Sequence, residues 1–373
     1  MSGLSGNWRV RREKNAFLAL ADGTIIRGWS CGAAADRLGE VVFNTGMTGY
    51  EEILTDPSYA GQIVTLTLPE IGNTGFNRED RESAAIHAAG LIVREMNPPS
   101  NWRSEETLPE ALARWDIPAL AGVDTRALTL KLRDGGTQKA FLCATGAVSP
   151  EEAVARARAW EGLDGQDYAS KVSTPEAYDW PAEVPADAPL VAVLDYGVKR
   201  NTLRLLAGHG FRVRVLNAKS TAVDVLKLKP AGVMLSNGPA DPAALPYAVE
   251  MIRGLLGKVP IMGICLGHQL LGLALGGKTC RLKFGHHCVN HPVQDVKAGT
   301  VEITSQNHNY MVAADSLDPA AAEITHVSLN DRTVEGLAAK KFPAFSLQYH
   351  PEAAPGPHDA IPAFARFRAL MGR

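Results

Sequence analysis

The sequence predicts an α/β protein in which a C-terminal open, mostly parallel sheet with helices on both faces follows a separate mixed α/β N-terminal domain. Short apolar runs alternate with helical stretches in the second half of the chain, which is typical of parallel strands joined by helical crossovers. The 373 residues exceed what one hydrophobic core usually supports, so two domains are expected. Residues 173–189 contain several prolines and lack apolar periodicity, which indicates a linker.

The predicted division is an N-terminal domain over residues 1–172, a linker over 173–189 and a C-terminal domain over 190–373. In the C-terminal domain, continuous apolar runs predict strands that are buried on both faces. Its predicted strands are 190–194, 211–216, 232–235, 259–264, 301–304 and 344–348, and its predicted helices are 201–207, 222–228, 247–256 and 358–370. The N-terminal domain has predicted strands at 40–44 and 63–68 and predicted helices at 121–132 and 151–159.

The composition argues against several classes of function. The formal net charge is −2 and there is no long basic stripe, so nucleic-acid binding is not expected. No apolar run approaches the roughly 20 residues of a membrane span, and the N-terminal charges precede no apolar segment, so neither membrane insertion nor secretion is expected. Five scattered cysteines indicate free thiols in a reducing compartment. We therefore expect a cytoplasmic protein.

A Gly-x-Cys-x-Gly motif centred on Cys265 follows the apolar run at 259–264 and precedes a leucine-rich helical stretch. This order predicts a nucleophile elbow, a sharp turn between strand and helix with the reactive side chain at its apex. Gly263 and Gly267 are expected because neighbouring backbone passes close to such a turn. The helix N-terminus favours a thiolate, which suits attack on an acyl carbon. A buried cysteine in an apolar strand–helix unit is the alternative interpretation.

A second motif, His350-Pro351-Glu352, lies near the C-terminus. The proline favours extended backbone at His350, and residues i and i+2 of an extended segment point to the same side. The imidazole can therefore face Cys265 with the carboxylate of Glu352 behind it. Together the two motifs predict a catalytic triad of nucleophile, base and orienting carboxylate.

These residues also resemble a known family. The segment GICLGHQLLG at 263–272, together with HPE at 350–352, resembles the class I glutamine amidotransferases. Further blocks resemble the small chain of carbamoyl-phosphate synthase, at residues 41–45, 47–50, 52–59, 122–126, 283–287, 290–292 and 306–308. The resemblance extends from about residue 15 to residue 370, and its N-terminal blocks are specific because other glutaminases of the class lack that domain.

The resemblance implies a chain that hydrolyses L-glutamine and delivers ammonia to a separate large synthetase chain. That large chain would use bicarbonate and two ATP to make carbamoyl phosphate for arginine and pyrimidine synthesis. A heterodimer, or a higher oligomer of it, is implied. No cofactor is expected in this chain, since ATP and Mg²⁺ are expected on the large chain, and no metal site is expected here.

The resemblance also implies roles for individual residues. Cys265 would be the nucleophile, His350 the base and Glu352 its orienting carboxylate. The backbone N–H groups of Gly238 and Leu266 would form the oxyanion hole. The substrate-binding residues would be Ser58, Gly238, Ala240, Leu266, Gln269, Asn307, Asn309 and Tyr310.

The chain departs from the family pattern at three places. Ala240 and the pair Asn309-Tyr310 stand where the family usually has glycine and Gly-Phe, and Tyr349 stands where glycine often precedes HPE. A left-handed backbone would cost Ala240 roughly 1–2 kcal/mol, whereas asparagine tolerates that region best among non-glycine residues. The departures affect the expected glutamine pocket and leave the triad complete.

Two other patterns resemble sites without the context that a site requires. Residues 272–279 match a phosphate-binding loop, but they end a predicted helix rather than open one. The cluster His286, His287, Cys288 and His291 lacks the paired knuckles of a structural zinc site.

Three alternative functions remain open from the sequence. The chain could be another class I amidotransferase, a cysteine hydrolase of the same architecture, or a non-catalytic scaffold with an impaired glutamine pocket. The N-terminal blocks oppose the first, and the intact Cys265, His350 and Glu352 oppose the last.

Overall fold

A computed structural model describes residues 16–239 and 241–372, and the chain divides into two compact units between Leu163 and Asp164. The division lies before the predicted linker, residues 173–189. That segment belongs to the second unit, where Tyr178–Asp179 pairs antiparallel with strand Arg212–Asn217. An edge strand of two residues needs backbone pairing but no apolar periodicity, which is why the sequence pattern indicated a linker instead.

In the described part of the first unit, seven strands form a closed barrel in the order β1-β2-β6-β5-β4-β3-β7. The strands are β1 Ala16–Leu20, β2 Ile25–Ser30, β3 Arg37–Asn44, β4 Gln62–Leu66, β5 Gly90–Ile92, β6 Ala119–Ala121 and β7 Gln138–Cys143. The helices are α1 Tyr50–Thr55, α2 Leu108–Arg114, α3 Thr125–Gly135 and α4 Pro150–Ala159. Helices and strands are mixed as predicted, but closure of the sheet was not predicted.

The barrel contains parallel and antiparallel pairs. β3, β4, β5 and β6 pair in parallel, whereas β1 pairs antiparallel with β2 and β7. The pairing of β1 with β7 closes the sheet, so neither strand presents a free edge. Strand β1 is buried along its whole length.

In the described part of the second unit, a ten-stranded sheet has the order β14-β13-β15-β16-β17-β12-β11-β9-β10-β8. Its strands are β8 Tyr178–Asp179, β9 Leu190–Asp195, β10 Arg212–Asn217, β11 Gly232–Leu235, β12 Ile261–Ile264, β13 Thr279–Asp295, β14 Val301–Val312, β15 Ala322–Ser328, β16 Val334–Ala339 and β17 Ala344–Leu347. The helices are α5 Ala169–Val172, α6 Arg200–Gly208, α7 Ala222–Lys227, α8 Pro246–Leu255, α9 Leu266–Ala274 and α10 Pro362–Leu370.

The sheet is mixed rather than mostly parallel, which corrects the sequence-based expectation. Strands β10, β9, β11, β12 and β17 pair in parallel, and we call them the parallel half. Strands β13 to β16 pair antiparallel, and we call them the antiparallel half. Helical crossovers produce the parallel pairs, whereas β13 and β14, and likewise β15 and β16, follow each other through short turns that require antiparallel pairing.

Helices cover both faces of the parallel half. Along β9, Ala192 and Leu194 join one apolar cluster with residues of α7, α8 and α9. Val191 and Val193 point to the opposite face and join a second cluster with residues of α6 and α10. Because alternate residues of a strand point to opposite faces, a continuous apolar strand is required here, as the sequence predicted.

Among the helices in the described ranges, none has the length and apolarity needed to cross a bilayer.

Candidate active site

The elbow predicted at Cys265 is present. β12 ends at Ile264, α9 begins at Leu266, and Cys265 between them has φ 50° and ψ −104°. This backbone region costs a non-glycine residue on the order of 1–3 kcal/mol, and such strain is typical of active sites. The φ value is compatible with the sharp turn that presents a nucleophile.

The flanking glycines are required by close backbone contact, as predicted. A Cβ at Gly263 would lie 2.6 Å from the Gly267 carbonyl oxygen, and a Cβ at Gly267 would lie 2.2 Å from the Leu235 carbonyl oxygen. Neither glycine has a positive φ. Their small size, rather than their backbone freedom, therefore allows the strand, the turn and the helix to pack.

His350 and Glu352 lie side by side beyond the end of β17. His350 Nδ1 is 2.7 Å from Glu352 Oε1, and both side chains are buried. Burial would lower the pKa of His350, but the charges of Glu352 and Cys265 raise it to about 10. Cys265 is thus close enough to His350 to influence its proton, which places the three predicted residues in one buried cluster.

The resting contacts of the nucleophile are also defined. Cys265 Sγ donates to the Asn307 carbonyl at 3.5 Å. Within the described residues, His350 Nε2 makes no hydrogen bond of normal geometry. The face of the imidazole that a catalytic base uses is therefore available for the thiol or a substrate.

Lys199 is a fourth member of the cluster, and the sequence analysis missed it. Its Nζ lies 3.1 Å from Glu352 Oε1, and the lysine and glutamate side chains are 3% and 0% exposed. Lys199 also donates to the Ala353 carbonyl, and Asn201 Nδ2 donates to the Glu352 carbonyl. Burial would raise the pKa of Glu352, but Lys199 and then His350 lower it to about 2. Glu352 is therefore a buried carboxylate whose Oε1 contacts both Lys199 and His350.

Gly238 and Leu266 lie next to each other beside the elbow. A Cβ at Gly238 would lie 2.2 Å from the Tyr196 carbonyl oxygen and 2.9 Å from Leu266 Cδ2. Within the described residues, neither the Gly238 nor the Leu266 N–H donates to a backbone carbonyl. Two N–H groups are thus available beside the nucleophile, as an oxyanion hole requires.

Five of the residues proposed for the glutamine pocket, Leu266, Gln269, Asn307, Asn309 and Tyr310, lie on α9 and β14. Gln269 Nε2 donates to the Tyr310 carbonyl at 2.7 Å and to Gln348 Oε1 at 3.1 Å. Asn307, Asn309 and Tyr310 follow one another on β14, and all are buried. The helix that begins at the nucleophile is therefore fixed to the strand that carries these residues.

Comparisons with known proteins agree with this geometry. The model "Carbamoyl-phosphate synthase small chain, CPSase domain" matches residues 18–142, and the model "Glutamine amidotransferase class-I" matches residues 192–370. The carbamoyl phosphate synthase small chain of Thioalkalivibrio sulfidiphilus is 52% identical over 369 residues, covering 95% of this chain and 97% of that protein. The chain belongs to the carbamoyl phosphate synthase small chain family.

Two further small chains are similar to the same extent. That of Syntrophotalea carbinolica is 51% identical over 369 residues, covering 95% of this chain and 97% of the relative. That of Bacillus caldolyticus is 52% identical over 355 residues, with coverages of 95% and 96%. The similarity includes both units, so it is not limited to the glutaminase half.

Two residues that the family resemblance selected lie outside the described part of the second unit. Ser58 lies in the first unit, in the 3-10 turn Pro57–Tyr59, where its N–H donates to Asp56 Oδ1 at 2.9 Å. Ala240 lies outside the described residues.

The other departures from the family pattern are accommodated. Asn309 lies in β14 and does not have a positive φ, so it carries no left-handed strain. The Tyr310 hydroxyl donates to Asp164, and Arg281 contacts the same carboxylate. The Tyr349 hydroxyl lies 3.0 Å from Glu302 Oε2, and its ring packs with Val293 and Leu347.

One group in the described ranges has ligand atoms close enough to hold a metal ion: His286, His308 and Glu335, within 4.8 Å of one another. His286 Nε2 is 2.8 Å from Asp331, and His286 Nδ1 is 3.7 Å from Glu335. Burial opposes the imidazolium, but Asp331 and Glu335 raise the pKa of His286 to about 9. We interpret the group as a buried imidazolium near two carboxylates, because Nε2 bonds to Asp331 and Nδ1 lies within ion-pair distance of Glu335.

The sequence that resembles a phosphate-binding loop ends a helix, as predicted. Gly272 lies in α9, and the Gly276 N–H donates to the Leu273 carbonyl with φ +94° at the helix end. Thr279 begins β13 rather than a helix. A phosphate loop must open a helix, so this segment has the wrong geometry.

Proposed function

We propose that the chain is the glutaminase subunit of a carbamoyl-phosphate synthase and that it hydrolyses L-glutamine through a thioester on Cys265. The observation that carries the proposal is the buried sequence of contacts from Lys199 through Glu352 to His350, beside a strained Cys265 at the carboxyl end of a parallel strand. Membership of the small chain family supports the choice of substrate.

His350 supplies the acid and base steps. Because the pKa of His350 is raised to about 10, the imidazole can take the Cys265 thiol proton from its contact with the Asn307 carbonyl, and the sulfur then attacks as a thiolate. Cys265 Sγ bonds to the amide carbon of glutamine, and His350 donates its proton to the departing ammonia. His350 then removes a proton from water, which cleaves the thioester and releases glutamate and the thiolate.

The remaining groups stabilise and orient. The Gly238 and Leu266 N–H groups donate hydrogen bonds to the developing oxyanion, each contributing roughly 2.7–4 kcal/mol. Glu352 holds the imidazole with Nε2 toward the sulfur, and Lys199 keeps Glu352 ionised. Gln269, Asn307, Asn309 and Tyr310, with Gly238 and Leu266, form the proposed glutamine pocket in the second unit.

The ammonia passes to a separate large chain, with which we propose a heterodimer or a higher oligomer of it. Residues 1–172 would dock that partner. Hydrolysis of an amide by a cysteine needs a nucleophile, a base and oxyanion donors, but neither ATP nor Mg²⁺. We therefore propose that ATP and Mg²⁺ bind to the large chain. The proposed pathways, arginine and pyrimidine synthesis, and the scattered thiols support a cytoplasmic location.

The proposal is tested by reconstituting the chain with its large chain and measuring glutamate release and carbamoyl phosphate formation. With Cys265→Ser, glutamine-dependent synthesis should be lost while ammonia-dependent synthesis remains. If the serine variant keeps the full glutamine-dependent rate, the proposed nucleophile is wrong.

A glutamine-derived electrophile provides a second measurement. Mapping of the adduct should place it on Cys265, and the two partly exposed cysteines, Cys31 and Cys280, should stay unlabelled at the same dose. Failure to label any cysteine would support a scaffold role instead.

A further inference from the structure

The histidine after the β13 bulge, His287, contacts two residues of the proposed glutamine pocket. β13 and β14 change register between Arg281 and His286, after which His287 pairs with Asn307 across the two strands. His287 Nδ1 is 3.0 Å from Asn307 Oδ1, and His287 Nε2 is 2.9 Å from Asn309 Oδ1. One imidazole therefore joins two residues of the same strand.

The chemistry of this contact couples the two amides. Burial lowers the pKa of His287 to about 4, so the imidazole is neutral at neutral pH. A neutral imidazole has one N–H donor and one acceptor nitrogen. Both asparagine oxygens face the ring nitrogens, so one of the two amides must turn to donate through its nitrogen while the other accepts through its oxygen. The tautomer of His287 determines which amide donates.

The bulge is built to admit this arrangement. Gly285 has φ +72°, and a Cβ there would lie 2.3 Å from Asn309 Oδ1 and 2.5 Å from His287 Nε2. A side chain at position 285 would therefore displace the His287–Asn309 contact. The bulge and the hydrogen bond depend on each other, because the turn leaves room for the two side chains to meet only while residue 285 is glycine.

Asn307 connects His287 to the nucleophile through two hydrogen bonds. The Asn307 carbonyl accepts the Cys265 thiol at 3.5 Å, and the amide of the same residue meets His287. Asn309 stands where the family resemblance predicts glycine, which has no side chain to offer to His287. The second contact of the imidazole is thus supplied by a residue that departs from the family pattern.

We propose that His287 is a positioning residue of the glutamine site, which orients Asn307 toward Cys265, and that Asn309 fixes the tautomer in which it does so. This inference rests on the proposed function for the identity of the ligand. It predicts that loss of the imidazole weakens glutamine binding while the triad chemistry of bound glutamine is retained.

Two near-isosteric variants separate the two ends of the imidazole. The amide of His287→Asn occupies approximately the Nδ1 position and can keep the Asn307 contact. The amide of His287→Gln occupies approximately the Nε2 position and can keep only the Asn309 contact. His287→Ala removes both contacts, Asn309→Gly removes one from the other side, and exposed His358→Ala is the matched control.

The measurements are kcat and KM for glutamate release in the complex with the large chain, and the Kd for L-glutamine of each variant in a Cys265→Ser background. We expect His287→Ala to raise KM and Kd about tenfold with kcat within about threefold, which corresponds to about 1.4 kcal/mol of binding. His287→Asn should restore most of the affinity, whereas His287→Gln should not. Asn309→Gly should raise KM about threefold and add nothing to His287→Ala.

Several results would overturn the inference. They are an unchanged Kd in His287→Ala, equal rescue by the two amides, multiplicative effects of His287→Ala and Asn309→Gly, or a fall in kcat at constant KM. Thermal unfolding of each variant identifies a loss of fold, and the Asn and Gln variants, which have similar volume, still decide the question if the alanine variant unfolds. The Kd is measured without turnover. A chain that binds glutamine without hydrolysing it would therefore contradict the proposed function, and the Kd values of the variants would still test the role of His287. A Cys265→Ser chain that does not bind glutamine contradicts both.

Discussion

The two halves of the second-unit sheet carry their polar residues in different ways. In the parallel half, Lys199, Gly238, Cys265 and His350 lie in the segments after β9, β11, β12 and β17, beyond the carboxyl ends of the strands. In the antiparallel half, His287, Asn307 and Asn309 lie within β13 and β14 themselves.

This difference gives the two halves of the sheet different proposed roles, catalysis in the parallel half and substrate binding in the antiparallel half. Segments after parallel strands can adopt strained backbone, such as that of Cys265 and of Ala353 with φ 52°, and so can aim reactive groups. Paired strands instead hold amides and imidazoles at a fixed spacing. We therefore expect changes in the parallel half to act mainly on kcat, and changes in the antiparallel half to act on KM or on stability.

The largest expected effect of the remaining predictions is that of Glu352→Gln in the parallel half. Removing the charge takes away one of the two interactions that raise the pKa of His350 against burial, so the imidazole holds its proton less tightly. We expect kcat for glutamate release to fall about 10³-fold, with the pH–rate profile shifted to lower pH. Steady-state kinetics over pH measures both effects. A loss as complete as that of Cys265→Ser would instead indicate a direct chemical role for the carboxylate.

Lys199→Met should have the next largest effect, because it leaves the Glu352 charge buried without its cation. The expected loss in free energy of unfolding is roughly 3–5 kcal/mol, with a lower kcat. The folded pKa of Glu352, about 2, is below its ordinary value of 4.5, so its stabilising effect is present above pH 4.5 and is lost as the pH falls toward 2.

In Lys199→Met the loss of stability on acidification should begin at a higher pH than in the wild type. Urea unfolding at several pH values measures this difference. Lys258→Met, at an exposed lysine, is the control and should change neither stability nor rate. An unfolding free energy equal to that of the wild type would show that Lys199 does not stabilise the glutamate.

His286→Gln tests the antiparallel half, where stability rather than kcat should change. The folded pKa of His286, about 9, is above its ordinary value of 6.5, so its stabilising effect is complete below pH 6.5 and is lost as the pH rises through 9. The shift corresponds to at most about 3 kcal/mol. The variant should therefore be less stable than wild type by the largest amount near pH 6. The difference in unfolding free energy between the two should approach zero above pH 9. A difference that is independent of pH would contradict the buried imidazolium.

Gly238→Ala should have the smallest effect and returns to the parallel half. The added Cβ would lie 2.2 Å from the Tyr196 carbonyl oxygen, so the loop must move and displace the Gly238 N–H from the oxyanion. We expect kcat to fall about 10²-fold, with some loss of stability because the clash is with backbone. Gly208→Ala, where a Cβ meets nothing within 4 Å, is the matched control and should stay near wild-type activity. A change in KM with constant kcat would mean that Gly238 contacts the substrate rather than the oxyanion.

Several parts of the fold could be predicted from the sequence because they depend on local patterns. The predicted strands at 232–235 and 259–264 correspond to β11 and β12, and the predicted helix at 151–159 corresponds to α4. The elbow glycines were interpretable because Gly-x-Cys-x-Gly specifies a turn within five residues. The spacing of His350 and Glu352 was sufficient to predict that their side chains lie side by side, because an extended chain points alternate side chains in the same direction.

Other parts could not be predicted. The prediction of a linker at 173–189 was wrong because Tyr178–Asp179 is held by backbone pairing with β10. A mostly parallel sheet was wrong because pairing direction depends on how strands are connected, which the apolar pattern of one strand does not report. Lys199 was missed because a lysine at a helix start is usually exposed, and only contact with Glu352 explains its burial.

By itself the sequence determined the local features: the apolar periodicity of the strands, the turn around Cys265, the side-by-side placement of His350 and Glu352, and the resemblance that indicated the family. The tertiary structure decided the closure of the first-unit barrel, the cation beneath Glu352 and the imidazole between Asn307 and Asn309. The reason is physical. A turn or an alternation involves only neighbouring residues, whereas burial of a charge or a choice of tautomer depends on groups that lie far apart along the chain and meet only when the sheet has formed.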